Sequence, residues 1–131
     1  MAEPHPEVIG PGHPLVQKVR EIAMPYPDAV EETTWGRPTF RVGKKIFVFV
    51  GETMVNPESI VFKPVLEEKA ALQGDERFFI PRYFGVHGWL AMHIDVDDTD
   101  WSQVAELVDT SYRQLALVRH LRTLDSEGLS R

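Results

Sequence analysis

A chain of 131 residues, 43% hydrophobic and 26% charged, has the length and composition of one globular domain with its own core. It contains no cysteine, which excludes disulfides, thiolate nucleophiles and thiolate-bound metals. The formal charge of -6 opposes DNA or anionic lipid binding by the surface as a whole. No apolar run is long enough to span a bilayer, and residues 1–7 lack the features of a signal peptide. We therefore expect a cytoplasmic protein that does not contact membranes.

The first predicted helix follows a proline-rich start. Residues 1–13 hold three prolines and two glycines without periodicity, and we expect them to form a flexible tail. Pro14 suits the first turn of a helix, because its missing N–H group needs no partner there. Apolar residues then recur at helical spacing, until Pro25 and Pro27 end the helix at about Met24.

A β-hairpin is predicted next. Residues 39–42 and 45–50 are rich in β-branched and aromatic residues, and they flank Gly43-Lys44. With glycine as the first central residue, the turn is expected to be type II′. This register pairs Val42 with Lys45, Arg41 with Ile46, and Phe40 with Phe47.

The second half of the chain predicts two further strands and two helices. Residues 59–63 form a strand, and Pro64 starts a short helix that stops at a left-handed Gly74. Residues 76–85 show no clear pattern, and residues 88–94 are typical of a last strand. An apolar stripe beginning at Trp101 then predicts one long helix to about Leu124, and residues 125–131 are expected to fray.

The order of these elements predicts the fold class. The connections between strands are too short for parallel crossovers, so the sheet should be antiparallel. We expect residues 14–124 to form a single α+β domain. In it, the sheet with its central hairpin is packed by an N-terminal helix, a short middle helix and a long C-terminal helix.

Several short motifs, in order and spacing, resemble the MmcQ/YjbR family of small bacterial proteins. They are Leu15 to Met24, Glu31-Glu32, Trp35-Gly36-x-Pro38-x-Phe40, Lys45-x-Phe47, Ile60 to Lys63, Gly88-Trp89 and Ser111-Tyr112. The resemblance covers about residues 15–122. It implies a compact antiparallel α+β fold similar to that of secretion chaperones, and a DNA-binding role without defined catalytic residues.

Basic residues in and around the hairpin are the candidates for weak DNA binding. Arg37, Arg41, Lys44 and Lys45 lie within nine residues without an acidic neighbour, and Lys63 and Arg82 would extend the same positive stripe. A protruding basic hairpin can lie along a phosphate backbone. The alternative is a solvated turn, whose lysines block pairing with another sheet edge.

Two other binding functions remain open. Both faces of the hairpin carry apolar residues, which would suit a protein-interaction module, either monomeric or dimeric. A small-molecule groove would use Trp35, Trp89 and His93, although large aromatic side chains usually serve the core first. The chain contains no nucleophile elbow, dinucleotide loop or phosphate loop, so no enzyme and no cofactor are expected.

Acidic residues before the last helix could suggest calcium. Asp95, Asp97, Thr99 and Glu106 match EF-hand positions, but Asp100 occupies the place where that loop requires glycine. We therefore expect no metal site, and expect Thr99 or Asp100 to cap the helix.

Overall fold

A computed structural model describes residues 6–127, which form a six-stranded sheet and four α-helices. In chain order these are α1 (Pro14–Ala23), β1 (Val30–Thr34), β2 (Arg37–Val42), β3 (Lys45–Val50), β4 (Ser59–Phe62), α2 (Leu66–Gln73), β5 (Phe78–Phe79), β6 (Leu90–His93), α3 (Trp101–Leu115) and α4 (Val118–Ser126). A short 3-10 turn, Phe84–His87, precedes β6. The strand order is β1-β2-β3-β4-β6-β5, and all neighbouring strands are antiparallel. The α+β class and the central position of the β2–β3 hairpin are confirmed.

The main core lies between one face of the sheet and the helices. Its sheet side includes Phe40, Phe47, Phe62, Leu90 and Met92. The helices contribute Leu15, Val16 and Val19 of α1, Val104, Val108 and Tyr112 of α3, and Leu124 of α4. We call this side the helix-covered face. None of the helices in residues 6–127 has the length and apolar character that crossing a membrane requires.

The ends of α1 and α3 follow the sequence pattern. Pro14 occupies the first turn of α1, and Met24 caps its C-terminal end. The Asp100 side chain accepts hydrogen bonds from the backbone N–H groups of Ser102 and Gln103, which confirms Asp100 as the cap of α3. At the end of α2, however, Gly74 has a right-handed φ of -73°, so the predicted left-handed stop is wrong.

The predicted long C-terminal helix is divided into α3 and α4. Ala116 and Leu117 have extended backbones, with ψ values of 153° and 160°. The side chain of the buried His120 caps the N-terminal end of α4, because its Nδ1 accepts a hydrogen bond from the Leu117 N–H group at 3.0 Å. Its Nε2 lies 3.2 Å from the Asp28 carboxylate. The apolar stripe continues across the break at helical spacing, so periodicity alone could not reveal it.

The central hairpin departs from the predicted register at one residue. The pairs Val42–Lys45 and Arg41–Ile46 form as predicted, but Phe40 lies opposite Val48 because Phe47 is the extra residue of a β-bulge. The bulge directs both Phe47 and Val48 toward the helix-covered face. The turn is type I′ rather than II′, since Gly43 and Lys44 both have positive φ, 53° and 72°.

Residues 6–13, predicted as part of a flexible tail, lie against the body of the domain. The Val8 N–H group donates to the Gly36 carbonyl at 2.8 Å, and Ile9 is only 5% exposed. The sequence shows no period here because Ile9 is the only one of these eight residues that is buried. Residues 1–5, and residues 128–131 of the predicted frayed end, lie outside the described part of the chain.

Ser111 and Tyr112 connect α3 to the rest of the fold. The Ser111 hydroxyl donates to the carbonyl of Phe47, the bulged residue, at 2.5 Å, and accepts from the Lys63 N–H group at 2.9 Å. The buried Tyr112 hydroxyl donates to the Pro27 carbonyl at 2.7 Å. This Ser-Tyr pair therefore holds α3 to β3, to the end of β4 and to the segment after α1.

Replacing Ser111 should destabilise the domain. Ser111→Ala leaves the Phe47 carbonyl and the Lys63 N–H group without their partner, and we expect a loss of about 2 kcal/mol in the free energy of unfolding. Urea denaturation measures it. Ser126→Ala is the control, because that hydroxyl is exposed and bonds only within α4. A loss in Ser111→Ala no larger than in the control would contradict the bridging role.

Candidate functional site

The face of the sheet opposite the main core carries a second, smaller core. Phe49, Val61, Trp89 and Ala91 are buried there. Phe84, in the 3-10 turn before β6, packs on this cluster, with ring centroids 5.1 Å from Phe49 and 5.5 Å from Trp89. We call this side the loop-covered face. Its cover is a loop rather than a long helix, which leaves part of it open.

A pocket of about 1180 Å³ lies at one end of the loop-covered face. Its walls come from the N-terminal segment, the β1–β2 turn, the loop after β3 and the segment from β5 to the 3-10 turn. Apolar side chains dominate the lining: Val8, Trp35, Met54, Val55, Phe79, Ile80, Tyr83 and Phe84. Arg37 and Glu52 place opposite charges within it, and Arg82 adds a second cation.

The β1–β2 turn places Trp35 in the wall. Trp35 and Gly36 are the two turn residues, with φ values of 54° and 79°. A side chain at Gly36 is impossible, because a Cβ atom there would lie 2.0 Å from the Pro6 carbonyl oxygen. This explains the Trp-Gly motif. The turn needs positive φ at both positions, and the glycine lets the N-terminal segment approach.

Arg37 is partly buried at the start of β2. Its Cζ atom lies 5.5 Å from the centre of the Phe49 ring, and its Nη2 donates to the Glu52 carbonyl oxygen at 3.2 Å. Its Nε is buried and has no hydrogen-bond partner within the described residues. Burial lowers the pKa of Arg37 from its ordinary value, while the negative charge of Glu52 acts in the opposite direction.

Glu52 holds the two loops of the pocket together. Its side chain is buried, and Oε1 accepts from the hydroxyl of Thr53 at 2.9 Å and from Nδ2 of Asn56 at 3.3 Å. Its Oε2 accepts from the Arg82 N–H group at 2.6 Å. Both oxygens therefore bond to loop donors, and within residues 6–127 no side-chain ion pair joins Glu52 to Arg37.

Other arginines of the chain do have direct carboxylate partners. The pairs are Arg20–Glu31, Arg41–Glu32, Arg77–Asp75 and Arg113–Asp109, at 2.7 to 2.8 Å. Arg20 uses both Nε and Nη2 to bind the two oxygens of Glu31. Arg37 differs from them, because the carboxylate nearest to it is engaged elsewhere.

The six basic residues predicted for DNA binding are distributed over several places. Arg37 and Arg82 line the pocket, whereas Arg41 is paired with Glu32 at 2.8 Å. Lys44 and Lys45 are exposed at the β2–β3 turn. Lys63 follows β4, and its carbonyl accepts from Gln114. The turn also lies close to α4, since a Cβ atom at Gly43 would be 3.6 Å from His120 Cε1.

The structure brings one of the three predicted groove residues into the pocket. Trp35 is 42% exposed and lines the wall. Trp89 is buried beneath Phe84. His93 does not line the pocket itself, but it stacks on the lining residue Phe79 with ring centroids 4.4 Å apart. Sequence reasoning missed Glu52, for which the available signal was a carboxylate two residues after the end of a buried strand.

Comparison with protein families identifies the family of this chain. The model of the YjbR family matches residues 24–114. This span contains all six strands and most of the pocket lining. A search of the curated proteins finds no match.

The role of Glu52 can be tested by Glu52→Gln. Replacing an acceptor oxygen with an NH₂ group removes a bond to Arg82, Thr53 or Asn56, so we expect a loss of about 1–3 kcal/mol in the free energy of unfolding. Urea denaturation measures this loss. Glu58→Gln is the matched control, because Glu58 is exposed in the same loop. Equal stability of the two variants would show that Glu52 does not hold the loops.

Proposed function

Because the chain belongs to the YjbR family, we propose that it is a non-catalytic binding module whose site is the pocket on the loop-covered face. Its partner is a protein that inserts a short apolar segment. The exposed apolar rim of the pocket is the observation that supports this function most directly. Glu52 supports the absence of catalysis, because both carboxylate oxygens already accept loop hydrogen bonds and are poorly placed to act as a general base.

The rim exposes an unusual amount of apolar surface. Met54 is 61% exposed, Val55 85%, Ile80 54% and Tyr83 77%, and all four line the pocket. Contiguous apolar patches of this kind mark interaction sites. Small-molecule pockets measure roughly 300–1,000 Å³ and enclose most of their ligand. This pocket is larger, at about 1180 Å³, and its walls are exposed, which favours a peptide segment.

Backbone strain at the rim also supports a binding role. Tyr83 has a φ of 68°, in a region that bulky side chains rarely adopt. Trp35 has a φ of 54° in its turn. Strained residues cluster at functional sites, where they hold a side chain in a required position. Both strained residues present an aromatic ring to the same pocket.

Changing the rim should weaken peptide binding. A random peptide library displayed against the protein should yield apolar sequences, and Val55→Ser should bind them about 10-fold more weakly, because burying a valine contributes about 1.5 kcal/mol. Calorimetric titration measures the affinity. Val118→Ser is the control, since Val118 is 63% exposed on α4 and does not line the pocket. Equal weakening in both variants, or a library without binders, would contradict the proposal.

Weak DNA binding through the basic residues, the function that the sequence suggested first, is the second candidate. Lys44 and Lys45 are exposed, whereas Arg41 is already paired, so we expect about two phosphate contacts and a slope of log affinity against log salt of about −1.8. Titration of duplex DNA at low and high salt measures that slope. Binding that the double variant Lys44→Ala, Lys45→Ala abolishes would favour DNA as the partner. An absence of binding at low salt would rule out DNA as the partner.

A further inference from the structure

We infer, on the basis of the proposed binding site, that the partner segment presents a side-chain carboxylate to Arg37. The pocket would thus recognise an aspartate or glutamate flanked by apolar residues. Three observations carry this inference: the hydrogen bonding of Arg37, the engagement of Glu52, and the balance of charge in the lining.

The hydrogen bonding of Arg37 is incomplete. Taking a guanidinium out of water is costly unless a counter-charge and acceptors replace the lost hydration. Arg37 has one bond from Nη2, to a neutral carbonyl at 3.2 Å, and its buried Nε has no partner within the described residues. A carboxylate entering from the rim would supply both the charge and the acceptors.

Arg20 shows in the same protein how such a pair is made. Its Nε and Nη2 bind the two oxygens of Glu31 at 2.7 and 2.9 Å. The corresponding edge of Arg37 comprises the unpartnered Nε and the weakly bonded Nη2. The planar fork of arginine suits a carboxylate better than the ammonium of lysine does. Since Nε of Arg37 is buried, we expect the carboxylate to contact the guanidinium through its terminal nitrogens.

Glu52 cannot itself serve as the carboxylate partner of Arg37. Its two oxygens accept from Thr53, Asn56 and the Arg82 backbone. Turning the carboxylate toward Arg37 would break the bonds that join the two loops. The negative charge of Glu52 therefore acts on Arg37, but the carboxylate oxygens of Glu52 accept hydrogen bonds from other donors.

The charge of the lining favours an anionic partner. Arg37 and Arg82 face a single carboxylate, that of Glu52, although the whole chain carries a formal charge of -6. The surrounding lining is apolar and aromatic, with Trp35, Phe79 and Phe84 among its residues. A charge pair formed against such walls is less screened by salt than one on the surface. A free chain end is a less suitable source, because chain ends are typically captured by successive backbone N–H groups.

A set of three peptides tests this inference. Calorimetry compares acetyl-Gly-Phe-Glu-Ile-Gly-amide, the same peptide with Gln for Glu, and the Gln peptide with a free C-terminal carboxylate. The native protein should bind the Glu peptide about 10-fold more tightly than the Gln peptide, a difference of about 1.4 kcal/mol. The preference should shrink less at high salt than that of a surface ion pair, because the apolar walls limit screening. Tighter binding of the free-carboxylate peptide than of the Glu peptide would overturn the side-chain assignment.

Arg37 variants complete the test. Arg37→Gln should bind the Glu and Gln peptides equally, and Arg37→Lys should keep a reduced preference because it retains the charge without the fork. Arg119→Gln, which changes an exposed arginine of α4, should behave as the native protein. If Arg37→Gln does not fold, two other measurements still test the inference. They are the salt dependence of peptide binding by the native protein and the preference of Arg37→Lys for the Glu peptide over the Gln peptide.

The outcomes separate this inference from the proposed function. Equal binding of the Glu and Gln peptides by the native protein would overturn the role of Arg37 and leave the apolar docking site intact. Binding of none of the three peptides, together with a library without binders, would overturn both. Displacement of the Glu peptide by duplex DNA at low salt would show that Arg37 serves phosphates instead.

Discussion

The central strands carry apolar side chains on both faces, and the rest of the fold depends on covering both. β3 directs Phe47 and Val48 to one face and Phe49 to the other, and β4 and β6 continue the same division. Amphipathic helices cover the first face. The second is covered by the short 3-10 turn, whose Phe84 packs on Phe49 and Trp89, and no long helix of the described residues lies across it. The pocket is the uncovered remainder of that face.

The polar groups of the pocket follow from this loose cover. Loops cannot satisfy their backbone groups with a regular hydrogen-bond ladder, so a buried side chain must do so. Glu52 accepts from the Arg82 N–H group and from two neighbouring side chains, which fixes both loops. That engagement keeps Glu52 from pairing with Arg37. The hydrogen bonds of Glu52 thus have two consequences: they stabilise the loops, and they leave Arg37 without a carboxylate partner.

Sequence patterns predict those parts of the fold in which periodicity and turn chemistry agree. The central hairpin, the end of α1 and the Asp100 cap follow from local residue preferences. The bulge at Phe47 and the break at Ala116 do not follow from them. The bulge carbonyl bonds to the distant Ser111 hydroxyl, and the His120 ring at the break lies against the distant Asp28 carboxylate. The pocket was hidden for the same reason. Its walls come from four segments far apart in the chain, two of them without any period.

Counting charges along the chain could not distinguish Arg37 from Arg41. Both lie on β2, and both belong to the basic cluster that suggested DNA binding. In the fold, Arg41 bonds to Glu32 and to the Thr34 hydroxyl, whereas Arg37 lies over Phe49 with its Nε unpartnered. A paired surface arginine has little left to offer a ligand, and a half-buried one with a free donor gains most from a new carboxylate. The proposed partner site therefore rests on which arginine lacks a carboxylate partner, rather than on the number of cations.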